Sequence, residues 1–153
     1  MLRFILCCFA SCALPWMGAA SEGYIDDGND AQILVGRLNN GLTYYIRHNQ
    51  SPEQRAYLAL AVRVGSLYEN EDEKGIAHFI EHLNFRGSEN FAEGEAISYL
   101  ESVGAWFGAD TNAFTSLDVT AYKLDIPIEE EAALDRALLI LRDFGGKALL
   151  ADE

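Results

Sequence analysis

The sequence predicts an α+β fold, a mainly antiparallel sheet with helices packed on one face, and three observations carry that expectation. Asn39-Asn40-Gly41 separates two apolar-alternating runs, a hairpin signal because the central residues of such a turn must accept positive φ. A second pair of strand-like runs, Trp106–Ser116 and Val119–Ile126, follows later in the chain. Segments with helical periodicity stand between and after these pairs, which suits helices layered on an antiparallel sheet. With 153 residues, 50% of them hydrophobic, the chain can bury one core and make one domain, but not two.

The first twenty residues are expected to stand outside that core. Arg3 is a short basic region, Phe4 to Leu14 is an apolar run, and Gly18-Ala19-Ala20 offers the small residues at which a signal peptidase cuts. The run is too short to span a bilayer and no other segment is long and apolar enough, so the expectation is a cleaved export signal and no stable membrane span. A lipoprotein signal ending at Cys12 is the weaker competitor, because Phe9-Ala10-Ser11-Cys12 is a poor acylation box. Residues 21–31 are acidic and Gly-rich and read as a flexible leader, leaving 32–153 as the folded part.

Order is expected to begin with strands over Gln32–Leu38 and Leu42–Ile46, with His48 exposed just beyond. Ala56–Val64, a near-continuous apolar run between Pro52 and Gly65, reads as a central strand. Gly65-Ser66-Leu67-Tyr68-Glu69 then links it to a helix over 75–87, whose N-terminus is favoured by Glu71, Asp72 and Glu73 and whose end is set by Gly87 in the left-handed conformation. Ala96, Tyr99, Leu100 and Val103 make a short amphipathic helix closed by Gly104. A longer helix over Glu129–Phe144 carries a broad apolar side (Ala133, Ala137, Leu138, Ile140, Leu141) and stops at Gly145-Gly146. Ala151-Asp152-Glu153 resembles the cap and first residues of one more helix.

The helix over 75–87 carries the chemistry. Ile76, Phe79, Ile80 and Leu83 recur at the period of a stripe buried against a core. His78, Glu81 and His82 lie three and four apart and share a face, expected on the outward side. Two imidazoles one helical turn apart can each give a nitrogen to one tetrahedral Zn²⁺ at about 2.0–2.1 Å. Glu81 is then placed to act as general base on a water whose pKa the metal lowers from about 15.7 to about 7. The order His-x-x-Glu-His is the inverted form of the zinc-protease helix signature.

Charge and cysteine content narrow the classes further. All three cysteines (Cys7, Cys8, Cys12) lie in the expected signal, so the mature chain has no disulfide framework and no cysteine ligand for a closed structural zinc site. The formal net charge of −13 becomes one unit more negative when Arg3 is removed. An acidic surface repels phosphate backbones, which argues against nucleic-acid partners.

Taken together, Leu38–Leu42, Gly65–Glu69, Gly75–His82, Phe85-Arg86-Gly87 and Phe107–Ser116 resemble the pitrilysin and insulin-degrading-enzyme family of zinc peptidases, in family order and spacing. The resemblance implies a pitrilysin-type metallopeptidase domain, with His78 and His82 as zinc ligands and Glu81 as the base. It implies that Asn112 and Ala113 lie on a sheet edge where a substrate backbone adds as a strand, a mode that tolerates many peptide sequences. The implied activity is a zinc metalloendopeptidase acting on peptides or unfolded protein, exported to the periplasm or outside the cell. A second homologous domain or subunit would close a chamber around the substrate. Family members carry a third ligand, a glutamate on the helix after the Gly-Gly stop, which would fall several residues past Glu153. Asp152 and Glu153 are at the wrong offset, so the domain is expected to be incomplete at its C-terminus. The competing reading is a non-catalytic, substrate-gripping partner subunit, a class that typically lacks an intact His-x-x-Glu-His.

Overall fold

A computed structural model describes residues 5–10, 22–26, 32–49 and 51–149. The strands are β1 (Ile5–Ala10), β2 (Glu22–Asp26), β3 (Gln32–Arg37), β4 (Thr43–Arg47), β5 (Arg55–Val62), β6 (Thr111–Thr115) and β7 (Thr120–Pro127). The helices are α1 (Ile76–Asn84), α2 (Glu95–Ser102) and α3 (Glu131–Phe144), with a short 3-10 turn over Ser66–Tyr68. The strands form one sheet in the order β2-β3-β4-β1-β5-β7-β6. Every neighbouring pair is antiparallel except β1 and β5, which run parallel.

The period of two along β5 and β7 explains how the core is built. Ala56, Leu58 and Leu60 alternate onto one face with Tyr122, Leu124 and Ile126, whereas Tyr57 and Lys123 turn to the other. Ala133, Ala137, Ile140, Leu141 and Phe144 of α3 and Ala96 and Leu100 of α2 close over that inner face. The expected α+β layering is therefore the observed one. Leu141 is 3% exposed and fully covered.

Several local expectations are corrected. In the first hairpin only Gly41 has positive φ, at 89°. Its N–H bonds the Leu38 carbonyl at 2.9 Å, so Asn39 and Asn40 make the turn and Gly41 follows it as the left-handed residue. The acidic leader is not featureless, because Glu22–Asp26 pairs with β3 from Glu22↔Gly36 to Asp26↔Gln32. Tyr24 and Ile25 are good strand formers, and an edge position needs no buried face. Residues 106–110 are a turn rather than the start of a strand: Gly108 is left-handed at φ 87°, and the Asp110 carboxylate accepts the Trp106 N–H at 2.9 Å. Helix α1 ends at Asn84 without a left-handed Gly87, its last carbonyls being met by Phe85 N–H.

The expected export signal meets the described residues only at β1, which lies between β4 and β5 in register from Ile5↔Tyr57 to Ala10↔Val62. The proposed cleavage residues Gly18-Ala19-Ala20 and the helix start at Ala151-Asp152-Glu153 lie outside the described residues.

Candidate active site

Helix α1 is placed by contacts made before it begins. A Cβ on Gly65 would stand 2.3 Å from the Ser116 carbonyl oxygen, so only glycine lets the chain pass this close to the β6–β7 turn. The next two amides fasten it there: Ser66 N–H donates to Ser116 O (3.2 Å) and Leu67 N–H to Leu117 O (2.8 Å). Glu69 then caps the helix, its two carboxylate oxygens accepting the N–H of Gly75 (2.8 Å) and of Ala77 (2.9 Å). These bonds, that from Gly75 foremost, hold its pKa below the usual carboxylate value. The acidic run Glu71, Asp72 and Glu73 does not perform that task; the anion at the helix N-terminus comes from Glu69.

The buried face of the helix is not the expected one, although His78 and His82 keep the outward position expected of them. Ile76, Phe79 and Ile80 are exposed, Phe79 at 61%, while Ala77, Glu81 and Asn84 are buried against the sheet. The reason lies in the surface beneath, where β6 and β7 present the hydroxyls of Thr115, Thr120 and Tyr122. Thr115 Oγ1 donates to Glu81 Oε2 at 2.7 Å, and Asn84 Nδ2 donates to the Tyr122 oxygen at 2.6 Å and the Phe144 carbonyl at 3.2 Å. Buried polar groups are tolerated when they are hydrogen-bonded, and here each has a partner waiting. Burial pushes the Tyr122 phenol up to about 12, with the Glu81 charge adding to the shift and the Asn84 bond opposing it.

His78 and His82 occupy the exposed flank of the same helix, with their Nε2 atoms 3.0 Å apart and ring centroids 4.7 Å apart. Two nitrogens bound to one tetrahedral zinc at about 2.0–2.1 Å stand ~3.3 Å apart, so a shift of a few tenths of an ångström suits the pair to one ion. The donor set fits: two imidazole nitrogens with a carboxylate on the adjoining face. Among the described residues no group of three or more His, Cys, Asp or Glu converges to hold a metal. An open groove beside the pair is lined by Ser66, Glu69, Gly75, His78, Thr115 and Leu117.

Asn112 and Ala113 lie on β6, which is the edge of the sheet. Asn112 Oδ1 accepts the Ala113 N–H at 2.9 Å, so the asparagine side chain occupies a main-chain donor of this strand. The start of β6 is anchored through Arg55, which bonds Asp125 Oδ1 at 2.7 Å and Asp110 Oδ1 at 3.3 Å. Hydrogen bonding to Asp125, more than its charge, raises the Arg55 pKa.

Residues 44–153 match the insulinase family, peptidase family M16. This chain belongs to that family. The chain is 44% identical over 118 residues to a zinc protease PQQL-like protein of Arabidopsis thaliana, covering 77% of this chain and 12% of the relative. The crystal structure of the periplasmic protease PqqL from Escherichia coli superposes with a TM-score of 0.75 at 32% identity, over 84% of this chain and 14% of that one. Pitrilysin superposes with a TM-score of 0.69 at 28% identity, over 85% of this chain and 14% of its own. The M16 chain thus has a pitrilysin-type fold and spans about an eighth of the length of these three relatives.

The sequence singles out the two histidines and Glu81 as candidates but assigns no role to Glu69, Asn84, Thr115 or Tyr122. Glu69 and Thr115 stand inside stretches that carry the family resemblance, which is the signal that could have singled them out. Asn84 and Tyr122 pair across 38 positions, and no local pattern announces that.

Proposed function

We propose that this chain supplies the catalytic face of an exported zinc metalloendopeptidase that cleaves peptides or unfolded protein segments. The observation that carries the reading is the convergence of His78 and His82 to 3.0 Å one turn apart, with Glu81 on the same turn. His78 and His82 would hold the ion, and a third ligand would come from outside the described residues, since catalytic zinc normally takes three. Zinc bound there supplies Lewis acidity toward water and the scissile carbonyl.

The chain's own residues do the rest. Glu81 accepts a proton from the attacking water and returns it to the leaving nitrogen, the dual role expected of a general acid–base. The β6 edge at Asn112 and Ala113 receives the substrate backbone as an added strand, which favours extended, unfolded segments over folded ones. Asn112 must release the Ala113 N–H for that strand to bond there. A second homologous domain or subunit covers the exposed side of the groove. Names of relatives as zinc proteases, one of them periplasmic, support both the activity and a periplasmic or extracellular location.

The test is carried out in the full-length protein. Glu81→Gln is expected to keep its zinc and lose peptidase activity, and His82→Ala to lose both. Full activity in Glu81→Gln would remove the glutamate from the mechanism. Mass spectrometry of the mature protein should find Ser21 at its N-terminus; an intact Met1 on exported protein would contradict cleavage after Ala20.

A further inference from the structure

We propose that Thr115 is a positioning residue for Glu81, tying one carboxylate oxygen to strand β6 so that the other is left to meet water. The inference rests on the reading of Glu81 as the base. Glu81 is 6% exposed, and among the described residues Thr115 is the hydrogen-bond partner of its carboxylate. A buried carboxylate on a single helical turn can rotate about its terminal bond, whose torsional preference is broad. The 2.7 Å bond from Thr115 Oγ1 to Oε2 removes that freedom.

The proton count makes the arrangement directional. A threonine hydroxyl carries one proton. Thr120 Oγ1 spends its proton on the Val64 carbonyl at 2.9 Å, and Thr115 spends its own on Glu81. The two hydroxyl oxygens lie 3.3 Å apart with neither proton between them, and Thr120 is held by its own bond to Val64, on the segment leading to Gly65. Oε2 therefore faces a donor whose one proton is committed to it, and Oε1 is the oxygen available to accept a proton. The Thr115 side chain comes from the same strand as Asn112 and Ala113, so the strand proposed to receive the substrate also orients the base.

The experiment compares Thr115→Val, Thr115→Ser and Glu81→Gln in the full-length zinc-loaded protein, measuring kcat, KM and zinc per chain. Valine keeps the branched shape a strand prefers and removes the hydroxyl. Thr115→Val is expected to lower kcat by about tenfold to a hundredfold, the usual cost of losing an outer partner of a metal site, with KM and zinc content unchanged. Thr115→Ser should recover most of the rate. In zinc-free protein, the carboxylate infrared band assigned to Glu81 by difference from Glu81→Gln should shift in Thr115→Val and return in Thr115→Ser. Thr115→Val within twofold of wild type would overturn the proposal, as would zinc loss in step with the rate, or a serine variant as impaired as the valine one. An inactive Glu81→Gln beside a fully active Thr115→Val would defeat this inference alone, whereas an active Glu81→Gln would defeat the functional reading beneath it.

Discussion

Tyr122 is a single side chain whose ionisation reports on the packing of α1 against the sheet. It is 2% exposed and its phenol is pushed up to about 12, because burial penalises the charged form. The folded state binds this proton more tightly than the unfolded chain, where the phenol titrates near 10.0. The contribution to stability is therefore complete below pH 10 and disappears as pH rises through about 12. It corresponds to about 2–3 kcal/mol. Tyr122→Phe should flatten the fall of the urea midpoint between pH 9 and 12; slopes equal to wild type would mean the phenol does not sense the fold. None of this was legible in the sequence, where Tyr122 is one aromatic in an apolar strand. His78, Glu81 and His82 were legible because helical spacing alone brings them together, and the 3.0 Å approach of the two rings needs nothing from the rest of the chain.

At the scale of the element, α1 shows what periodicity can and cannot say. Two faces of different polarity were visible, but which face turns inward depends on the surface below. Thr115, Thr120 and Tyr122 belong to strands more than thirty positions away, and their hydroxyls draw Glu81 and Asn84 in while His78 and His82 stay exposed. Ile76, Phe79 and Ile80 of the expected stripe are consequently exposed, with Leu83 half-buried: Phe79→Ser should change stability by no more than about 0.5 kcal/mol, as exposed substitutions do. Leu100→Ala, at a fully buried position, should cost about 2–5 kcal/mol. A Phe79→Ser variant as unstable as Leu100→Ala in denaturant melts would restore the buried-stripe reading. Gly65→Ala tests how the helix is seated. Its new Cβ would meet backbone atoms of the β6–β7 turn at 2.3 and 2.7 Å, so the link to α1 must shift. The expected result is a loss of about 1–3 kcal/mol together with weaker zinc binding, read by calorimetry and metal analysis. Strand positions were read well where a near-continuous apolar run is bounded by turn residues, as in β5, and poorly at residues 106–110, where a left-handed Gly108 and the Asp110 side chain close a turn.

For the whole molecule, the α+β layering followed from the order of strand and helix patterns, but the mixed centre of the sheet did not. A parallel neighbour of β5 drawn from residues 5–10 has no signature in a stretch that reads as an apolar export signal. Residues 1–153 alone should bind zinc far more weakly than the full-length protein, since the described residues bring two nitrogens to the ion. Equal zinc occupancy at equal free zinc would locate a third ligand within this chain. The position of β1 also bears on the life history of the protein. Its register couples Ile5 to Tyr57 across a long stretch of chain, the kind of distant, parallel pairing that forms late. Under the proposed export, an apparatus that threads extended chain would take hold of the same residues before that pairing forms. Translocation and early folding would then compete for one strand, and slowness becomes an asset: a precursor that closed its sheet promptly in the cytosol would hide its own address. If the proposed signal is cleaved after Ala20, β4 and β5 lose the neighbour they share. Hydrogen exchange at Ala59–Val62 should accordingly be faster in protein beginning at Ser21 than in the precursor, and equal protection would show that another strand has taken the place.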